Sequence, residues 1–89
     1  MAVWRVEFSE NAEDDLAALD RPIRRRVIDG LEWLSNNFDN IVPIPLGGRW
    51  KEFFKFRVGD WRVVYEINSV EQTLIVHYID HRSKIYKRR

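Results

Sequence analysis

Cysteine is absent from this chain of 89 residues, and so are long apolar runs. Without cysteine there is neither a disulfide framework nor a thiolate metal site, which fits a reducing compartment. The apolar runs extend over only a few residues, so no segment is predicted to span a membrane. The first residues, MAVWRVEFSE, also lack the apolar stretch and the small-residue cleavage site of a signal peptide. These absences predict a cytoplasmic protein with no membrane partner.

Glycine and proline are scarce as well, with four and three residues, whereas apolar residues make up 45% of the chain. Four Trp, five Phe and three Tyr supply enough apolar surface for a packed core, so a disordered chain is excluded. A chain of this length builds one hydrophobic core rather than two. We therefore predict a single domain over residues 1–89.

Charge is unevenly distributed, although the formal net charge is only +1. Residues 1–48 hold five Lys or Arg and nine Asp or Glu, a net charge of −4, whereas residues 49–89 hold ten and five, a net charge of +5. The segment HRSKIYKRR contains five of these cations and no acid. A basic half suits an anionic partner, commonly nucleic acid, although an ordinary solvated surface with a basic tail gives the same pattern.

Periodicity in the first half predicts one strand followed by two helices. Apolar and polar residues alternate from Val3 to Phe8, as in a strand, and Ser9 is predicted to cap the helix that follows. A second helix is predicted to begin at Asp20, with Pro22 tolerated in its first turn, and to end near Asn36. The two helices would form a hairpin.

The second half is predicted to form a loop over residues 37–48 and then three strands, separated by tight turns. Such a meander favours antiparallel pairing. The fold class is therefore α+β, a small antiparallel sheet of about four strands in the order β-α-α-β-β-β, with the helical hairpin on one face. The predicted strands cover residues 50–58, 61–67 and 73–79. The helices are predicted to pack through Leu16, Leu19, Val27, Leu31 and Leu34, and to bury Phe54, Phe56, Val63 and Tyr65.

The segment FKFRVGDWRVVYEI carries cations among the apolar residues of a predicted hairpin. Strand alternation places one set of residues on an open face, which the helices do not cover. That set is Lys51, Phe53, Lys55 and Arg57, whereas Trp50, Glu52, Phe54, Phe56 and Val58 fall largely on the other face. Arg62 joins the open face if the hairpin register places it beside Arg57 or Lys55. Cations interleaved with aromatics are typical of RNA binding, although long basic stems also simply cover apolar sheet.

Two segments carry a resemblance to a known family. The stretch PLGGRWKEFFKFRVGDWRVVYEI, followed by VHYIDHRSKIYKRR, resembles the RelE/ParE toxins of bacterial and archaeal toxin–antitoxin pairs. The opening strand and FSENAEDDLAALD extend the resemblance over nearly the whole chain. It implies a toxin that a cognate antitoxin neutralises by wrapping around it, in a complex that binds its own operator DNA through the antitoxin.

The RelE-like branch of the family implies a ribosome-dependent mRNA interferase, with the ribosome and mRNA as partners. Its chemistry is attack by a ribose 2′-OH on the adjacent phosphate in the ribosomal A site, without a cofactor and without metal ligands. The resemblance implies catalytic roles for Lys55, Arg62, Arg82 and Tyr86. It further implies RNA contacts by Lys51, Arg57, His81, Lys84 and Lys87.

The ParE-like branch is the alternative, because its members act on DNA gyrase and are not nucleases. A third reading is a homologue that still binds antitoxin but has lost its nuclease. One departure bears on this choice, since Phe53 stands where some RelE-like nucleases have a second lysine, and Lys51 replaces it only in part. The presence of Arg62, Arg82 and Tyr86 together favours the nuclease over these two alternatives.

Other residues are given structural roles by the sequence. His81 is a conceivable acid–base group, since its ordinary pKa lies near neutrality, but it is expected to cap or pack the turn before the tail. His77 is expected to be structural. The consecutive arginines Arg24, Arg25 and Arg26 are expected to form a solvated helix face. The tryptophans Trp4, Trp33, Trp50 and Trp61 are expected in the core.

Overall fold

The structure, a computed structural model, describes residues 3–87. Its elements in chain order are β1 (Arg5–Phe8), α1 (Glu10–Ala18), α2 (Arg21–Asn37), β2 (Ile44–Gly47), β3 (Trp50–Val58), β4 (Trp61–Asn68) and β5 (Thr73–His81), with short 3₁₀ helices at Phe38–Asn40 and Ile85–Lys87. Within these residues, neither α-helix combines the length and the apolar composition that a membrane span needs. The α+β fold class is confirmed, with one more strand than predicted.

The sheet has five strands in the order β1-β5-β4-β3-β2. The predicted meander is present, since β3, β4 and β5 pair antiparallel with their neighbours. The wholly antiparallel sheet of four strands was wrong, because β1 pairs parallel with β5 and the sheet is mixed. Turn signals in a sequence predict hairpins, and no hairpin joins β1 to β5, so the sequence pattern does not give the direction of β1.

The additional strand, β2, lies within the segment predicted as a loop. It pairs antiparallel with β3, placing Ile44 opposite Lys55 and Pro45 opposite Phe54, and its register shifts between Pro45 and Gly47. Proline has no N–H to donate, but an edge strand leaves one side unpaired and therefore tolerates it. The loop prediction was therefore wrong for residues 44–47, where Pro45 lies in an edge strand.

Both helices lie on one face of the sheet and enclose the core, as predicted. The buried side chains from the helices and the residue that ends α1 include Ala12, Leu19, Val27, Leu31 and Leu34, and those from the sheet include Val63, Tyr65, Leu74, Val76 and Ile79. Leu16 is half-buried against them. Phe54 and Phe56 are half-buried against this core, so the predicted phase of β3 is correct for them. Burial removes water from the Tyr65 phenol and raises its pKa to about 12.

The tryptophans differ in their environments, and the expectation of four core residues was wrong for two of them. Trp4 is buried and donates from Nε1 to Asp39 Oδ1 at 2.9 Å, and Trp61 packs against the core. Trp33 is 52% exposed to solvent, and its ring stacks on the Phe56 ring with the two centroids 6.3 Å apart. Trp50 was also predicted on the covered face of β3, and this was wrong, because its ring contacts Phe53 and Tyr78 on the opposite face, as described below.

The start of α1 continues the pairing of β5 after β1 has ended. Ser9 caps α1 as predicted, since its Oγ accepts the Ala12 N–H at 3.2 Å. Its backbone N–H donates to Val76 O at 2.9 Å, and six residues further on Asp15 Oδ2 accepts the Ile79 N–H at 2.9 Å. These bonds satisfy backbone groups at the edge of β5 and fix α1 against the sheet.

Arg24 belongs to the connection between the helices, not to a solvated face. Its Nε donates to Leu16 O at 3.1 Å, and its Nη2 donates to Ala17 O at 3.2 Å and to Leu19 O at 2.8 Å. Leu16 O already accepts the Leu19 backbone N–H at 3.2 Å, so the guanidinium adds a second donor there. It also gives a donor to the carbonyls of Ala17 and Leu19 and complements the negative end of the helix dipole. The neighbouring Arg25 is exposed, as expected, with only a 3.7 Å ion pair to Asp29.

The turn between β3 and β4 depends on Gly59. Its φ is +58°, in the left-handed region that residues other than glycine rarely adopt. A Cβ at this position would also lie 2.8 Å from Arg26 Nη2. The turn is therefore tight, and it sets the register that determines which side chains meet on the uncovered face.

Candidate functional site

Cations from β3 and β4 lie together on the face of the sheet that the helices do not cover, hereafter the open face. The register places Arg57 directly opposite Arg62, and Lys55 opposite Val64. Arg62 therefore lies on the open face, since its register beside Arg57 is the one that this placement required. On its other side Arg62 lies opposite Asp80 of β5, so it is flanked by one like charge and one opposite charge. Like charges directly opposite each other destabilise a sheet, whereas opposite charges stabilise it. The Arg57–Arg62 pair is suited to binding an anion.

The C-terminal 3₁₀ helix brings Tyr86 to the same cations. Ile85 is buried and fixes this segment against the protein, while Tyr86 is 55% exposed. Lys55 Nζ donates to Tyr86 Oη at 2.9 Å and lies 5.7 Å from the centre of the tyrosine ring. Residues that are 31 positions apart in sequence thus form one polar pair on the open face.

Arg62 is held in place by the hairpin turn. Its Nη1 donates to Gly59 O and to Trp61 O, both at 2.9 Å. A guanidinium has five N–H donors in a planar fork. These two bonds use one nitrogen, so the planar group is oriented while it retains the capacity to bind an anion through its other nitrogen atoms.

Arg82 lies at the same end of the sheet. Its backbone N–H donates to Asp60 O at 2.8 Å, and its Nε is 3.7 Å from Asp60 Oδ1. Its side chain is 63% exposed, so this ion pair is solvated and contributes little to stability. The β3–β4 turn therefore holds Arg82 beside the hairpin that carries Arg57 and Arg62.

The structure does not bring every predicted site residue to this centre. Lys51 is four residues from Lys55 along β3, about 13 Å at the rise of a strand. Lys84 and Lys87 are exposed on the C-terminal segment. Arg88 and Arg89, which complete the basic tail, lie outside the described residues.

His81 closes the turn before the tail, in agreement with the structural expectation. Its Nδ1 accepts the Ser83 backbone N–H at 3.2 Å and is 2.9 Å from Ser83 Oγ. Its ring also contacts the edge of Trp61, with centroids 5.5 Å apart. These contacts give His81 a structural role, and the RNA contact that the resemblance implies for it stays a prediction.

The open face also carries an aromatic cluster that the sequence did not predict, consisting of Trp50, Phe53, His77 and Tyr78. Ring centroids are 5.6 Å apart for Trp50 and Phe53, 5.9 Å for Trp50 and Tyr78, and 5.1 Å for Phe53 and His77. His77 Nε2 lies 2.9 Å from Glu66 Oε1. Because a carboxylate only accepts, that nitrogen carries the proton.

A β-bulge explains why His77 reaches this cluster. Val64 pairs with Tyr78, but the next residue, Tyr65, pairs with Val76, so His77 is an extra residue in β5. The bulge places His77 and Tyr78 on the same side although they are consecutive. Strict alternation, which is the signal available in a sequence, assigns them to opposite faces.

The fold and this face define a small α+β protein with a cationic surface on the uncovered side of its sheet. Its sequence matches the model of a family described as the ParE toxin of type II toxin-antitoxin systems (parDE), over residues 6–86. The chain therefore belongs to this family and is a type II toxin of the RelE/ParE superfamily, as the resemblance implied.

Solved structures give the same fold. The toxin–antitoxin complex RelBE2 of Mycobacterium tuberculosis is similar at 28% identity and a TM-score of 0.81, covering 93% of this chain and 95% of that chain. The RelB–RelE complex of Methanococcus jannaschii is similar at 26% identity and a TM-score of 0.67, covering 91% and 95%. The isolated E. coli RelE toxin, at 17% identity and a TM-score of 0.70 over 97% and 93%, shows the fold alone. A comparison with curated proteins gives no match.

Proposed function

We propose that this toxin is an endoribonuclease that cuts mRNA in the ribosomal A site. The observation that carries the proposal is the Lys55–Tyr86 pair, 2.9 Å between Nζ and Oη, on the same open face as the paired arginines Arg57 and Arg62. This face therefore offers cations and a hydroxyl group together to a phosphodiester. Relatives at 28% and 26% identity that are RelE toxins in complexes with antitoxins support the RelE-like branch.

The site is open to water, which serves as the proton acceptor and donor of the proposed reaction. The ribose 2′-oxygen attacks the adjacent phosphorus as its proton passes to a water molecule, and the bond from phosphorus to the 5′-oxygen breaks as that oxygen takes a proton from water. The products are a cyclic phosphate and a free 5′-OH. Lys55 stabilises the charge that develops on the 2′-oxygen, and Tyr86, fixed by Lys55, positions the 2′-OH. Arg62 binds the charged phosphate with its planar fork. Arg82, at the end of the hairpin, neutralises the leaving oxygen.

A ParE-like action on DNA gyrase is the second candidate. The matching family model is that of the ParE toxin, which is the observation in its favour. The same cationic face would then bind a protein or DNA surface without cleaving it. Substitution of the Lys55–Tyr86 pair separates the two proposals, since a binding surface does not depend on one hydroxyl group.

The test uses purified toxin and ribosomes programmed with a defined mRNA. We expect Arg62→Ala to lower the cleavage rate by a hundredfold or more, because removing one donor to transition-state charge commonly costs about that much. Tyr86→Phe, which removes only the hydroxyl, should also slow cleavage. The matched control is Arg25→Ala, an exposed helix arginine that should cleave at the normal rate.

Two results would contradict the proposal. A folded Arg62→Ala protein that cuts as fast as the unmodified toxin would show that the site is wrongly assigned. An unmodified toxin that leaves the mRNA whole but inhibits supercoiling by gyrase would establish the ParE-like action.

The proposal includes the partners that such a toxin requires in the cytoplasm, namely a cognate antitoxin and the ribosome with its mRNA. The related RelB–RelE structures are complexes with an antitoxin, which supports the first of these. The charge of +5 on residues 49–89 predicts an acidic antitoxin segment over the open face. Binding of the complex to operator DNA would take place through the antitoxin.

A further inference from the structure

Beside the proposed cleavage centre, the open face has a surface of different chemistry. Phe53 is two residues from Lys55 along β3, about 7 Å, a distance that one nucleotide can bridge. Phe53 belongs to the aromatic cluster, with Trp50, His77 and Tyr78, and all four side chains are half-buried on a sheet face that the helices leave open. Aromatic rings at such a position are platforms on which an unpaired base stacks.

Glu66 gives this surface a polar group. Its side chain is 46% exposed, and its Oε1 accepts from His77 Nε2 at 2.9 Å. The histidine fixes the carboxylate, and the second oxygen and the remaining lone pairs are available for a ligand. A carboxylate repels phosphate, so among the cations of this face it suits the base of a nucleotide and not its backbone.

We propose that the aromatic cluster and Glu66 form a nucleobase subsite that prefers guanine in single-stranded RNA. A carboxylate accepts hydrogen bonds only, and the Watson–Crick edge of guanine presents two adjacent donors, N1–H and the N2 amino group. Adenine, cytosine and uracil each present a single donor group beside an acceptor. The inference rests on the proposed function, since it assigns the neighbouring nucleotide of the same RNA, but its test does not require cleavage.

The experiment is an NMR titration of the ¹⁵N-labelled toxin with 2′-O-methyl tetraribonucleotides, which cannot be cleaved by 2′-OH attack. The oligonucleotides differ at one position, which is guanine, inosine or adenine. We expect the guanine form to bind about tenfold more tightly than the adenine form, as one good bidentate contact provides. Inosine, which lacks the N2 amino group, should bind with intermediate affinity. The Trp50 indole N–H resonance should shift on binding.

Glu66→Gln should reduce the preference for guanine over adenine to about twofold or less, because an amide offers one acceptor in place of two. The matched control is Glu52→Gln, the same change at an exposed position on β3, which should keep the preference. Phe53→Leu, which keeps apolar bulk but removes the ring, should weaken binding of all three oligonucleotides alike. The spectra themselves report whether each variant is folded.

Equal binding of the guanine and adenine forms, absence of binding, or an unchanged preference in Glu66→Gln would each overturn the subsite. Guanine-selective binding by a toxin that does not cut programmed mRNA would leave the subsite standing and overturn the nuclease proposal. Cleavage without any base preference at this position would overturn the subsite and leave the nuclease proposal standing.

Discussion

Replacing Arg24 by alanine tests whether one side chain holds the two helices together. The guanidinium donates to three carbonyls at the end of α1, at 3.1, 3.2 and 2.8 Å. Two of these bonds are partly buried, and the bond to Ala17 O is exposed. We count about 1 kcal/mol for each partly buried bond, since its carbonyl regains water only in part, and about 0.5 kcal/mol for the helix dipole. Arg24→Ala should therefore lower the free energy of unfolding by about 2–3 kcal/mol.

The assay is urea and thermal unfolding followed by circular dichroism. In a domain of this size, a loss of 2–3 kcal/mol corresponds to a melting temperature about 10–20 °C lower. The matched control is Arg25→Ala, an exposed neighbour whose 3.7 Å ion pair with Asp29 is worth at most about 0.5 kcal/mol. If both variants unfold alike, the bonds from Arg24 do not stabilise the hairpin and the structural assignment is wrong.

Two other predictions concern alkaline pH and the hairpin turn. Burial raises the pKa of Tyr65 to about 12 from the ordinary 10. The neutral phenol therefore contributes fully to the free energy of unfolding below pH 10, and this contribution, about 3 kcal/mol, is lost as the pH rises from 10 to 12. Urea midpoints measured across this range should fall less in Tyr65→Phe than in the unmodified protein, and equal falls would contradict the assignment. Gly59→Ala and Gly48→Ala share a φ of +58°, and each should cost about 1–2 kcal/mol of unfolding free energy. The two costs should be nearly equal because the Arg26 guanidinium can swing away from an added methyl group, and a much larger cost at Gly59 would show that it cannot.

Local chemistry explains why several elements were predictable from the sequence. Ser9 caps α1 because a side-chain oxygen at that position meets a free backbone N–H, and this depends on neighbours in the chain alone. The same holds for the apolar stripe that buries Val27 and Leu31, and for the turn at Gly59, whose φ few other residues adopt. The α+β class and the covered face of β3 follow from these periodicities.

The cationic part of the site was predictable for a related reason. Alternation along β3 put Lys55 and Arg57 on one face, and a tight turn of two residues at Gly59 brought Arg62 opposite Arg57. The resemblance to the family supplied Tyr86, which no local pattern connects with Lys55. The 2.9 Å contact between them depends on how the C-terminal segment folds back, which only the tertiary structure decided.

Other features depend on contacts between distant segments, and the sequence did not determine them. The parallel pairing of β1 with β5 joins segments 68 residues apart, and no turn specifies it. The role of Arg24 depends on where α1 ends relative to α2, so three consecutive arginines look alike in the sequence and differ in the fold. The bulge at His77 shifts the alternation of β5 by one residue and creates the cluster beside Glu66. By itself, the sequence determined the charge of this protein through its composition, and most of its helices and strands and the covered face through short-range periodicity. The tertiary structure decided which distant side chains meet, because only the strand register and the folding of the C-terminal segment back onto the sheet bring them together.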